Sequence, residues 1–168
     1  MIVQSTRGGA SARDTEAVLQ GLAPDGGLYI PCEIPALTDG DLKKLAALSY
    51  EDRAAYVLAK FLDDYDREGL KDDCRAAYSA EKFPEPSGER YLSGGAAPLY
   101  DLDNSTYVLE LWHGPTSAFK DMALQIMPRL LSRALKMTDE QRTAHTFTLS
   151  PVWVTIWRFC MALTPSTG

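Results

Sequence analysis

From Tyr107 to Gln125 the chain reads Tyr-Val-Leu-Glu-Leu-Trp-His-Gly-Pro-Thr-Ser-Ala-Phe-Lys-Asp-Met-Ala-Leu-Gln, and no other stretch constrains the fold as tightly. Tyr107 to Trp112 is aromatic and branched and carries one charge, Glu110, which predicts a mostly buried strand. His113-Gly114-Pro115-Thr116 breaks any regular element, because glycine and proline are the strongest local punctuators. Ala118, Met122, Ala123, Leu124 and Ile126 then recur at helical spacing, so a helix is expected from about Ser117. A strand, a Gly-Pro turn and a helix open an α/β unit. They place a single lysine, Lys120, in the first turn of that helix.

A lysine attacks a carbonyl only as the neutral amine, and its ordinary pKa of about 10.4 leaves almost none in that form at neutral pH. Burial, or the positive end of a helix, disfavours the ammonium. Lys120, between Phe119 and Met122 at a helix start, is placed for both effects, which suits a Schiff base with an aldehyde. The plainer reading is an exposed lysine on a first turn, with Asp121 favoured there by the helix dipole. His113 is read as a contact to cofactor or substrate, or as a histidine held by backbone hydrogen bonds in a tight turn. Thr116 and Ser117 are read as anion donors or, preferably, as caps of the helix that follows.

The remaining composition excludes several classes. A chain of 168 residues, 45% hydrophobic and 24% charged, is ordinary for a globular protein of one domain or two small ones. It can bury roughly two thirds of its unfolded surface. A net charge of −6 argues against nucleic acid or an anionic membrane as partner, since both require a basic face. Cys32, Cys74 and Cys160 are odd in number with no short spacing, and His113 and His145 stand 32 residues apart, so neither a disulfide framework nor a metal site is expected. With no basic segment leading into an apolar stretch at the start, no secretory signal is read, and a reducing cytoplasm is the expected compartment. Pro151, Arg158 and the threonines weaken the stretch from Thr146 to Leu163 as a membrane span.

Taken in order, residues 1–9 look extended. Asp14 or Thr15 is expected to cap a short helix that ends at Gly21. Asp25-Gly26-Gly27 reads as a turn rather than a phosphate loop, because no helix follows it, and Leu28-Tyr29-Ile30 reads as a strand closed by Pro31. Thr38…Asp41 and Ser49…Asp52 have capping-box spacing and open helices over about 39–47 and 50–62. In the second, Ala54, Val57, Leu58, Phe61 and Leu62 form an apolar face. The acidic run from Asp63 to Asp73 reads as a solvated face of a third helix over 66–79. Phe83-Pro84-Glu85-Pro86-Ser87-Gly88 has linker composition, so a small, mostly helical cap with a short hairpin is expected over 1–85 and an α/β domain from 86. Pro128 predicts a kink, or a stop with Pro128 restarting a second helix.

Three blocks resemble threonine synthase, a pyridoxal-phosphate enzyme of fold type II: Ser5-Thr6-Arg7-Gly8, Glu16 through Pro31, and His113 through Gln125. They occur in order over about residues 1–145. The resemblance implies an N-terminal domain over 1–85 and the first, incomplete part of a pyridoxal-phosphate α/β domain over 86–145. It further implies that Lys120 forms the resting aldimine with pyridoxal 5'-phosphate, that Phe119 lies at the cofactor, and that His113 and Thr116 are candidates for contact with substrate. The reaction implied converts O-phospho-L-homoserine to L-threonine and phosphate.

Residues 146–168 do not match the family, whose phosphate loop is glycine-rich, whereas no glycine stands here between Gly114 and Gly168. The tail reads as the product of a truncated or frameshifted synthase, with a strand serving another assembly as the alternative. Such a chain is expected to hold the cofactor weakly and turn over little. The competing readings are a non-catalytic fragment or binding module, and another fold type II lyase.

Overall fold

A computed structural model describes residues 1–103 and 105–140. The chain divides into two compact units, one holding Met1–Cys32 with the described residues after Leu130, the other Glu33–Leu130.

In the first unit, β1 (Ile2–Ser5), β2 (Ser11–Arg13), α1 (Asp14–Gln20) and β3 (Tyr29–Pro31) follow one another. The sheet order is β2-β1-β3 and both pairings are antiparallel, with Val3 opposite Ala12 on one side and Pro31 on the other. Along β1, Val3 and Ser5 are buried while Ile2 and Gln4 are exposed, the two-residue period of a strand with one covered face. β3 starts at Tyr29 and Pro31 is its last residue, which an edge strand tolerates because no ladder partner needs its missing N–H. The N-cap of α1 is Arg13; Asp14 and Thr15 are its first two residues. Gly21 stops that helix with φ 73°, its N–H donating to Ala17 O at 2.9 Å.

The expected glycine turn forms, and an aspartate organises it. Asp25 Oδ1 accepts from Ser5 Oγ at 2.7 Å and Gly27 N at 2.9 Å, and Oδ2 accepts from Gly9 N at 3.0 Å. Arg7 Nη1 donates to Asp25 O at 3.0 Å. Gly26 needs its freedom for φ 76°; Gly27 is glycine for want of space, since a Cβ there would lie 2.0 Å from Ser5 Oγ.

The second unit begins with α2 (Asp39–Ala46), α3 (Tyr50–Leu58) and α4 (Arg67–Ala77). Thr38 and Asp41 form a full capping box, whereas Ser49 only accepts from Asp52 N, and Asp66 caps α4 by accepting from Gly69 N at 2.6 Å. Tyr56 donates its hydroxyl to Asp41, which also pairs with Lys60 at 3.4 Å and so ties α3 to α2. α3 stops four residues short of the expected end: at Lys60 and Phe61 the N–H groups turn to carbonyls three residues back, Lys60 to Val57 and Phe61 to Leu58. Its buried residue is Ala55, and Val57 from the expected apolar face is exposed. The acidic run is not wholly solvated, because Asp73 is buried on α4. Leu70, Cys74, Ala77, Tyr78 and Phe83 form the core of this helical part.

After it come β4 (Tyr91–Ser93), β5 (Leu99–Asp103) and β6 (Thr106–Leu109), an antiparallel sheet in that order. β6 is shorter and wetter than the sequence suggests: Tyr107 is 51% and Leu109 57% exposed. An edge strand with one neighbour covers only part of its surface, so aromatic and branched content there does not signal burial. The helix expected from Ser117 is replaced by a turn, the four-residue α5 (Asp121–Leu124), and α6 (Met127–Met137). Ser117 adopts φ 54°, which no helix accommodates. Pro128 is the second residue of α6, where a first-turn N–H would have had no helical partner, so the break falls where the proline demanded it. Ile126, Leu130, Leu131 and Ala134 are buried at three- and four-residue spacing along this last segment. The expectations for residues 141–168, including the membrane stretch and the tail strand, lie outside the described residues.

Candidate functional site

Lys120 stands at the N-cap of α5, half-buried, with φ −62° and ψ −25°. Its carbonyl accepts from Ala123 N at 3.0 Å and Leu124 N at 2.9 Å, so its backbone is already committed to the helix. A four-residue helix has little macrodipole, which removes one of the two effects expected to act on the lysine.

The residue after it does the holding. Asp121 is 0% exposed, and its Oδ2 accepts from Thr116 N at 2.8 Å while Thr116 Oγ1 donates to Oδ1 at 2.9 Å and Oδ2 at 3.0 Å. Neither Thr116 nor Ser117 caps the following helix; the cap runs backward, from the helix's first side chain to the turn before it. Gly114 completes the grip, because a Cβ there would meet Asp121 Cβ at 2.4 Å and Oδ2 at 2.6 Å. Ser117 N closes the turn on Gly114 O at 3.0 Å. From the other side, Tyr78 at the C-terminus of α4 donates its hydroxyl to Met122 O at 2.8 Å. Burial pushes the Tyr78 phenol up from its ordinary value, so it remains a donor. Lys120 is thus fixed between a turn anchored on the buried Gly114 and Asp121 and a pinned helix.

The other expected residues are near neighbours in sequence with different fates. Phe119 is 64% exposed and contributes no burial of its own. Thr116 spends its hydroxyl proton on Asp121. His113 is held by a side chain rather than by backbone, with Nε2 2.6 Å from Glu110 Oε2 and its ring stacked on Trp112. Glu110 and the backward reach of Asp121 escaped the sequence reading. The signal for Glu110 was there, as a lone carboxylate in an apolar strand requires partners. Among the described residues no three His, Cys, Asp or Glu side chains gather as metal ligands, and no helix is long and apolar enough to cross a membrane.

A three-stranded antiparallel sheet leads through a glycine turn to a lysine at a helix start, in a mixed fold of helix and sheet. The family model described as "Threonine synthase N terminus" matches residues 3–78. The chain is 36% identical over 122 residues to human threonine synthase-like 1, covering 72% of this chain and 16% of that protein. It is 38% identical over 133 residues to the threonine synthase of Corynebacterium glutamicum, 77% of this chain and 26% of that one. Among solved structures, the pyridoxal-phosphate-bound threonine synthase of Brucella melitensis superposes with TM-score 0.70 at 34% identity, over 83% of this chain and 28% of that chain. The chain belongs to the threonine synthase family and corresponds to its N-terminal part. It spans between a sixth and about a quarter of the length of those two relatives.

Proposed function

We propose that the chain supplies the N-terminal domain, over 1–85, and the cofactor lysine, within an α/β segment over 86–145, for pyridoxal-phosphate-dependent conversion of O-phospho-L-homoserine to L-threonine and phosphate. The match of the family model to residues 3–78 supports the first assignment. The observation that carries the second is the grip of Asp121 and Gly114 on the turn, which sets Lys120 at a defined position.

The donor set fits the aldehyde end of the cofactor: Lys120 offers a primary amine on a fixed backbone, the group that condenses with a carbonyl. Withdrawal of electrons from the substrate's carbon skeleton is the chemistry that pyridoxal phosphate supplies when bound. Lys120 Nζ would hold the cofactor and is the group that would move a proton at the reacting carbon. Phe119 would lie beside the cofactor, and His113 and Thr116 would contact the substrate. Between Gly114 and Gly168 the sequence offers no glycine-rich stretch of the kind that cradles a phosphate. Retention by this chain alone is therefore weak and turnover slight. The same observation favours the second reading, a non-catalytic segment derived from a synthase. A cytoplasmic setting suits the free thiols of Cys32 and Cys74.

Titrating purified chain with pyridoxal phosphate and recording absorbance tests the binding, with Lys120→Ala as control. A weak, lysine-dependent band is expected; identical spectra for the two proteins would overturn the assignment. Release of phosphate from O-phosphohomoserine, measured alongside, separates a catalytic chain from the non-catalytic reading.

A further inference from the structure

Glu110, the residue after β6, is only 8% exposed, and two segments hold it. Its N–H donates to Pro98 O at 3.0 Å, and the hydroxyl of Tyr91, on β4, donates to its Oε2 at 3.2 Å. Tyr91 is itself set by an edge-to-face contact with Tyr100, ring centroids 5.1 Å apart. Burial, reinforced by the hydrogen bond to Glu110, pushes the Tyr91 phenol up, which keeps it a donor. The same Oε2 meets His113 Nε2 at 2.6 Å, while the imidazole lies on the Trp112 ring with 23° between planes. A carboxylate oxygen only accepts, so the histidine nitrogen facing it must carry the proton. In a neutral imidazole the acceptor is then the other nitrogen.

We propose that Glu110 is a positioning residue that fixes His113 as the Nε2–H tautomer, so that Nδ1 is the acceptor the lysine turn offers to an O–H or N–H of the substrate. The role toward substrate rests on the function proposed above; the tautomer does not. A purely structural glutamate would anchor β6 to Pro98 and β4 and leave the imidazole free to populate either form.

The test is nitrogen-15 NMR of histidine side chains in the full chain at mildly alkaline pH, where imidazole is neutral. The sequence has two histidines, and His113→Gln assigns the signals. The expected result is a protonated Nε2 and an unprotonated Nδ1 with widely separated shifts. Glu110→Ala should collapse that separation toward the average of two exchanging tautomers, and Glu110→Gln, still an acceptor, should retain it. A wild-type His113 protonated on Nδ1, or on both nitrogens, would overturn the proposal, as would an unchanged spectrum in Glu110→Ala. The wild-type spectrum decides even if Glu110→Ala does not fold. Failure of the cofactor reading shows separately, as absence of a Lys120-dependent band with the tautomer unaltered.

Discussion

Two turns in this protein are built by the same device in opposite surroundings. At Asp25 a carboxylate gathers a serine hydroxyl and two glycine N–H groups in a partly exposed hairpin; at Asp121 a carboxylate gathers a threonine hydroxyl and its N–H with no exposure at all. Each is crowded by a glycine that cannot accept a Cβ. Water reaches the half-buried carboxylate of Asp25 and not the fully buried one of Asp121, so the second turn is the costlier to break and the better support for a reactive group. Lys120 stands beside the buried carboxylate.

The comparison sharpens into an order of effects. Asp121→Ala should be the most damaging, lowering stability by about 3 kcal/mol, because it empties a fully buried site and removes the hydrogen bonds that hold the Thr116 turn. Urea unfolding measures this, and a loss no larger than that of Asp25→Ala would break the contrast. Gly114→Ala follows at about 2 kcal/mol, since the Asp121 Cβ it strikes cannot rotate away. Gly27→Ala should cost about 1 kcal/mol, because the Ser5 hydroxyl can swing aside at the expense of its partly solvated hydrogen bonds with Asp25 and Arg7 N. Equal midpoints for the two glycine variants would count against the difference in surroundings.

The smallest effect is the pH dependence of the exposed turn. The Ser5 hydroxyl, then the Gly27 N–H, hold the Asp25 carboxyl below its ordinary range. A carboxyl lowered in the folded state adds stability that is complete above the unfolded value of about 3.9 and is lost as pH falls below it. Asp25→Asn should flatten that acid limb of the stability profile, and parallel profiles for the two proteins would refute it.

What the sequence disclosed was local. The caps at Thr38 and Ser49, the stop at Gly21, the turn at Asp25-Gly26-Gly27 and the break at Pro128 each depend on residues within four positions, and all form. What it concealed depended on distant partners. Nothing in Ser11–Arg13 announces a strand until β1 is beside it, and the exposure of β6 follows from its edge position rather than its composition. At the site, Lys120, His113 and Thr116 were legible as residue types. Their supports were not: Asp121 looked like a dipole complement, and Glu110 needed Tyr91 and Pro98, both from earlier in the chain.

The central claim, that the turn singles out one lysine for the cofactor, is tested most directly by trapping. Pyridoxal phosphate is added to the chain, the adduct is reduced with borohydride, and the labelled peptides are mapped by mass spectrometry. The label should fall on Lys120, and Gly114→Ala should lower it severalfold while Gly27→Ala leaves it unchanged. Label spread evenly over surface lysines such as Lys43 and Lys44, or unmoved by Gly114→Ala, would contradict the claim.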